Sequence, residues 1–209
     1  MRAPLIIFGG SGFIGQGVCQ EAINREIPVI SISKHGKPTE AELWMSSPLI
    51  TWLSIDIFKD DSWKNYISSE TSCINLIGIF FENKKKGLTY EKLIVQANHL
   101  ISEEAQFKHA PYLFLSAKVG PFGYIEAKRK AEAELFQKNN PTIIIRSGLV
   151  TTKKRPFVYT QGVVIKVAAH LPFIKKTATK AFPVPLKKLA VTIVNESFNS
   201  SHKIIEDIR

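Results

Sequence analysis

Cysteine is scarce in this chain: Cys19 and Cys73 are the two among 209 residues, both in apolar surroundings. That excludes a disulfide framework, and buried free thiols of a reducing compartment are expected instead. Neither cysteine has metal-ligand spacing to other ligands, so no metal site is expected. A run of roughly 20 uninterrupted apolar residues is also missing, so no membrane span is expected. The first apolar run begins almost at Met1, which leaves no room for a cleavable presequence. Acidic residues are outnumbered, 18 Asp and Glu against 28 Lys and Arg, for a formal net charge of +10. Such a balance raises the question of nucleic-acid binding. The cations fall in short groups, Lys84 to Lys86, Lys128 to Lys130, Lys153 to Arg155 and Lys175 to Lys180, with no DNA- or RNA-binding motif among them. A basic compartment or an acidic partner surface accounts better for the charge, and no nucleic-acid partner is expected. Internal repeats and low-complexity segments are absent.

What is present is ordinary for a globular protein: 44% hydrophobic and 22% charged residues, in a length that buries a substantial core. Apolar runs that read as strands begin at Leu5 (to Phe8), Val29 (to Ser33), Leu49 (ending at Asp56), Cys73 (to Ile79), Tyr112 (to Leu115) and Thr142. Segments of helical period lie between them, from Phe13, from Tyr90 and over Tyr124 to Lys138. Strict alternation predicts an α/β fold, a Rossmann-like doubly wound parallel sheet over 1–150. Residues 151–209 read as a reduced extension on the same domain, with a proline-bounded helix in "FPVPLKKLAVTIVNESF" and a last strand in "HKIIEDI". Within it, Thr160 to Lys180 has two readings. It is either a helix covering the sheet edge, or a lip of Leu171 to Ile174 with Lys175, Lys176 and Lys180 that rests peripherally on an anionic membrane.

"IIFGGSGFIGQG", Ile6 to Gly17, puts glycines at a strand-to-helix turn. Glycine is costly there unless backbone geometry or a close ligand requires it. The spacings Gly10-x-Gly12-x-x-Gly15 and Gly9-x-x-Gly12-x-x-Gly15 both place a pyrophosphate over the helix start, cradled by Gly9, Ser11, Gly12, Phe13 and Ile14. The end of the second strand reads Ser33-Lys34-His35-Gly36-Lys37, with no carboxylate for the ribose hydroxyls of NAD(H). Ser33 and Lys34 favour NADP(H) instead, unless the stretch is only an exposed basic loop. Asp56 closes the third strand where it can accept from the adenine amino group, with Ile57 on the ring; the rival role, a helix cap, suits Asp60 or Asp61 better. Leu76, Ile77 and Gly78 end the fourth strand where a ribose and nicotinamide can lie against backbone.

Ser116, Tyr124 and Lys128 form the candidate catalytic trio. Tyr124 and Lys128 are four apart on a helix and share a face. An ammonium there stabilises a phenolate, Lys128 also reaches the cofactor ribose, and Ser116 at the end of the fifth strand can bond a substrate carbonyl. Such a group can move a proton while nicotinamide exchanges hydride.

Gly9 to Gly15, Asp56, Ser116, "GYIEAK" and "IIIRSG" together resemble an extended or atypical short-chain dehydrogenase/reductase over most of the chain. More narrowly, "FGGSGFIGQGVCQEA", "SISKHGK", "SIDIFKDDSW", "GYIEAKRKAEAEL" and "IIIRSGLV" are similar to fungal mitochondrial proteins of coenzyme Q (ubiquinone) biosynthesis, which are akin to the nucleotide-binding accessory subunit of respiratory complex I. The resemblance implies an NAD(P)-binding protein on the matrix side of the inner membrane, beside a ubiquinone-biosynthesis protein complex. It leaves two activities open: a reductase acting on a quinone precursor, or a nucleotide-binding scaffold without catalysis. Seven residues separate Ser116 from Tyr124, a short connection for a reductase, and Ser147 stands where proline usually follows the strand-six arginine.

Overall fold

A computed structural model describes residues 3–40, 42–152 and 183–208. The reading of Thr160 to Lys180 therefore lies outside the described residues. The strands are β1 (Leu5–Phe8), β2 (Val29–Ser33), β3 (Ile50–Ser54), β4 (Ser72–Asn75), β5 (Tyr112–Ala117), β6 (Thr142–Ser147), β7 (Val150–Thr151), β8 (Val184–Pro185) and β9 (Lys203–Ile205). The α-helices are α1 (Phe13–Asn24), α2 (Ala97–Phe107), α3 (Phe122–Leu135) and α4 (Leu186–Glu196). Seven strands make one parallel sheet in the order β3-β2-β1-β4-β5-β6-β9; β7 and β8 pair separately.

Alternation along the strands divides the core in two. In β1, Ile6 and Phe8 point to the face covered by α2 and α3, where Phe8 meets Trp63 edge-on with ring centres 5.4 Å apart. Leu5 and Ile7 point to the other face, under α1 and α4, with Val18, Cys19, Leu189 and Ile193. All four β1 side chains are fully buried, which is why this strand lacks polar alternation. Both cysteines are buried free thiols, and burial pushes each well above the ordinary thiol range. The described residues 183–208 lie on this sheet: α4 packs on α1, Arg25 Nη1 donates to Asn195 Oδ1 at 2.5 Å, and β9 lies parallel to β6.

Several elements depart from the sequence pattern: β3 ends at Ser54, two residues before Asp56, and β5 runs past Leu115 to Ala117. Asn75, not Ile79, ends the fourth strand, because the Asn75 side chain accepts from Ile77 N–H at 3.0 Å and turns the chain out of the ladder. The helix after Tyr90 opens as a π-turn over Glu91–Gln96 before becoming α2, a distortion common beside functional sites. Helix α3 begins at Phe122, with Pro121 as its N-cap, and ends at Leu135.

The order of the strands positions the site. Chain direction across the sheet reverses between β1 and β4, and in open parallel sheets the crevice at that point, outside the carboxyl ends, receives ligands. Gly9, Ser33, Asp56, Leu76 and Ser116 all lie at or just beyond those carboxyl ends.

Candidate functional site

The glycine turn leaves β1 through Gly9, whose φ of +85° is a conformation that favours glycine. Its N–H donates to Ile32 O at 2.8 Å, and Gly12 N–H donates back to Gly9 O at 3.0 Å. A Cβ on Gly15 would lie 2.2 Å from Gly9 O and 2.6 Å from Gly10 Cα, so only glycine lets α1 pack against the turn. Gly12 differs: a Cβ there would meet Gly9 O alone, at 3.2 Å, and otherwise project outward. Gly12 is the N-cap of α1, it offers no side-chain cap, and no acidic residue occupies the first turn. The positive end of such a helix can receive an anion. A dinucleotide pyrophosphate fits this cradle, with Gly12, Phe13 and Ile14 at the helix start and Ser11 beside them.

Ser33 closes the next wall. It is buried, and its Oγ accepts from Ser11 N–H at 3.2 Å, tying the end of β2 to the glycine turn. Lys34 is exposed, but its Nζ lies 3.4 Å from Asp56 Oδ2. The two residues read separately for ribose phosphate and adenine are therefore brought together as an ion pair. Burial alone would raise the Asp56 carboxyl, but the Phe58 N–H, bonded at 3.2 Å, and the charges of Lys34 and Lys59 outweigh it and hold the group below the ordinary range. Asp60 Oδ1 accepts from Ser62 N–H at 2.8 Å just before the short 3-10 turn Ser62–Tyr66, whose N-cap is Asp61. Ile57 is 5% exposed and joins the core with Trp63.

Across the crevice, Leu76 and Ile77 press their backbone on Gly9, and Gly78 opens beside Lys128: a Cβ on Gly78 would come 3.7 Å from Lys128 Nζ. Lys128 is buried at 4% exposure, donates to Leu115 O at 2.6 Å, and lies 5.9 Å from the Tyr124 ring centre. Burial pushes its ammonium down to about 7, with Glu132 pulling the other way. Tyr124 is half-buried, its ring 5.1 Å from Phe80 and 6.0 Å from Tyr90.

Ser116 is drawn elsewhere. Its Oγ accepts from Arg129 Nη1 at 3.3 Å, and Arg129 also donates to Ala117 O and Glu132. Glu132, 1% exposed, takes Arg146 through both oxygens, and Arg146 reaches Glu206 at 2.5 Å. This Arg129–Glu132–Arg146–Glu206 network was not anticipated from sequence. The available signal was Arg146 itself, a cation inside the apolar run "TIIIRSG", which requires a buried counter-charge. Away from the crevice, His99, Glu103 and Glu134 gather within 4.8 Å, but Lys138 binds both carboxylates and fills the place of a cation.

No protein-family model matches the chain. It is 29% identical to MIOREX complex component 2 of Saccharomyces cerevisiae, across 74% of this chain and 75% of that protein. Among solved structures it resembles the Bordetella bronchiseptica enzyme WbmF in complex with NAD+, with a TM-score of 0.69, 13% identity, and coverage of 99% of this chain and 73% of the other. It also resembles a UDP-galactose 4-epimerase, with a TM-score of 0.68, 12% identity, and coverage of 98% and 76%. The chain has the Rossmann-like α/β fold of these solved structures, with its glycine turn at the switch point of the sheet.

Proposed function

We propose that this protein binds a nicotinamide dinucleotide in the β1/β4 crevice, NADP(H) in preference to NAD(H), and acts as a short-chain reductase on a carbonyl of a quinone precursor in mitochondrial ubiquinone biosynthesis. The observation that carries the reading is the meeting of Lys128, Gly78 and Tyr124 across the crevice from an uncapped, glycine-gated helix start. When bound, nicotinamide supplies the hydride. Tyr124 supplies the proton to the substrate oxygen, and Lys128 holds the ribose and lowers the cost of the phenolate. The pathway, the matrix location and a ubiquinone-biosynthesis complex as partner are what the resemblance of "FGGSGFIGQGVCQEA", "SISKHGK", "SIDIFKDDSW", "GYIEAKRKAEAEL" and "IIIRSGLV" implies.

A specific observation favours a second reading, a non-catalytic nucleotide-binding subunit. Ser116 is 2% exposed and its Oγ accepts from Arg129, so the hydroxyl is buried in the arginine network, although its O–H proton remains to donate. The yeast relative is a complex component by name, and this chain as a scaffold in such an assembly would need the dinucleotide only for its fold. Turnover separates the two. NADPH oxidation with ubiquinone-precursor carbonyls, abolished in Tyr124→Phe while NADPH still binds, supports the reductase. NADPH binding without turnover in the wild type assigns the scaffold role.

A further inference from the structure

Beyond Gly78, Phe81 to Leu88 make an excursion before the π-turn that the dinucleotide site does not use. Asn83 and Leu88 pair across it, Asn83 N–H to Leu88 O at 2.8 Å and Leu88 N–H to Asn83 O at 3.0 Å, closing a finger with Lys84–Lys86 at its tip. Every residue from Phe81 to Leu88 is exposed. Phe81 and Leu88 flank the neck at 38% and 37% exposure. The finger is braced on the candidate site. Phe81 meets Phe80 edge-on at 4.9 Å, Phe80 packs on Tyr124, Tyr90 O–H donates to Phe80 O at 2.9 Å, and Tyr90 N–H donates to Glu82 Oε1 at 2.8 Å. Phe122, 86% exposed, stands two residues before Tyr124 at the start of α3.

We propose that this finger docks the protein on an anionic lipid surface, with Lys84, Lys85 and Lys86 among the head groups and Phe81, Leu88 and Phe122 at the acyl boundary, so that the Tyr124 side of the crevice opens toward the membrane. Charge complementarity favours this occupant. Three consecutive lysines face one nearby acid, Glu82, which is already committed to Tyr90 N–H, and Lys84 Nζ stays 3.9 Å from it. A purely polar anion would match the lysines but leave the apolar neck wet, whereas a bilayer interface takes both. Among the described residues the other large exposed apolar side chains, Leu43, Tyr66, Phe107, Phe136, Phe198 and Ile204, have no lysine triplet beside them in the sequence. Docking stands apart from the proposed reaction. Only its consequence, that the carbonyl substrate is lipid-soluble and enters from the bilayer, rests on that reading.

The test is co-sedimentation of the full chain with phosphatidylcholine vesicles, with and without cardiolipin, alongside NADPH titration. The wild type is expected to bind the cardiolipin vesicles and to release them with salt. Changing Lys84, Lys85 and Lys86 together to Glu should weaken partition by about a hundredfold, at roughly 1 kcal/mol per lysine near such a surface. Phe81→Ser with Leu88→Ser should weaken it further, and Phe107→Ser should leave it unchanged. All variants should retain NADPH binding, which shows that the fold survives. Wild-type indifference to cardiolipin, absence of vesicle binding, or full binding by the triple-Glu variant would overturn the proposal. Failure of NADPH binding in the wild type would strike the dinucleotide reading and leave docking standing.

Discussion

Asp56→Asn is expected to sharpen the choice of NADPH over NADH. Lys34 Nζ lies 3.4 Å from Asp56 Oδ2, with the two side chains 63% and 21% exposed. So exposed a pair adds well under about 1 kcal/mol to stability, and its weight falls on ligand choice. A ribose phosphate held by Lys34 would stand beside a carboxylate that stays charged at neutral pH, since its own pKa is held below the ordinary range. With nearly two phosphate charges about 6 Å from the carboxylate, Coulomb's law at the dielectric of water gives roughly 1 kcal/mol of opposition, or about fivefold in affinity. Asparagine keeps the volume and, through Oδ1, the acceptor for Phe58 N–H, while an uncharged NH2 replaces the Oδ2 that faces Lys34. Any loss at adenine is shared by both cofactors, so NADPH should gain about fivefold in affinity relative to NADH in Asp56→Asn, and Lys34→Met should weaken NADPH by about tenfold or more. Isothermal titration at low and at about 0.15 M salt reads both, with the difference shrinking as salt screens it. Equal responses of NADH and NADPH to Asp56→Asn would refute the reasoning, because the carboxylate would then not face the phosphate.

Glu132→Gln leaves two guanidinium groups against a neutral amide, and breaking a buried pair in this way costs about 3–5 kcal/mol, so the melting temperature should fall by roughly 10 °C; a shift of only a degree or two would show that the network is dispensable. Lys128 is pushed down to about 7 by burial, so between there and the ordinary lysine range the unfolded chain holds a proton that the folded chain does not. Stability against urea should therefore rise as pH increases from about 7 toward about 10, and the rise should be much smaller in Lys128→Met; an equal rise in both would assign it to other groups. Gly15→Ala should destabilise by about 1–3 kcal/mol or fail to fold, since its Cβ would overlap Gly9 O, and wild-type stability in that variant would contradict the packing described.

Much of the architecture was legible because burial on both faces leaves strands as unbroken apolar runs. Leu5–Phe8 and Val29–Ser33 have the boundaries that the pattern predicts. Side chains that compete with the ladder were not legible. "CINLIGI" reads as one apolar run broken by a single polar residue, yet that residue, Asn75, spends its amide on Ile77 N–H and Tyr112 O–H and ends the strand there. The opening of α2 as a π-turn leaves no trace in a helical apolar period. Tyr124 and Lys128 were recoverable because an i, i+4 pair fixes a shared face, whereas the partners of Ser116 and Lys34 depend on contacts across 13 and 22 residues that no local pattern encodes. The glycine turn carried the strongest signal, because positive φ at Gly9 and the close approach at Gly15 tolerate few other residues.

The central claim is that a dinucleotide lies over Gly12 at the start of α1. Titration of NADPH into the purified wild type and Gly12→Val, with melting curves for both, tests it most directly. Valine at this N-cap costs about 1 kcal/mol, and its Cβ meets only Gly9 O at 3.2 Å, so the variant should stay folded. Saturable NADPH binding in the wild type, abolished in a folded Gly12→Val, is the predicted result. Equal affinity in the two proteins, or no binding of either NADPH or NADH by the wild type, would contradict it.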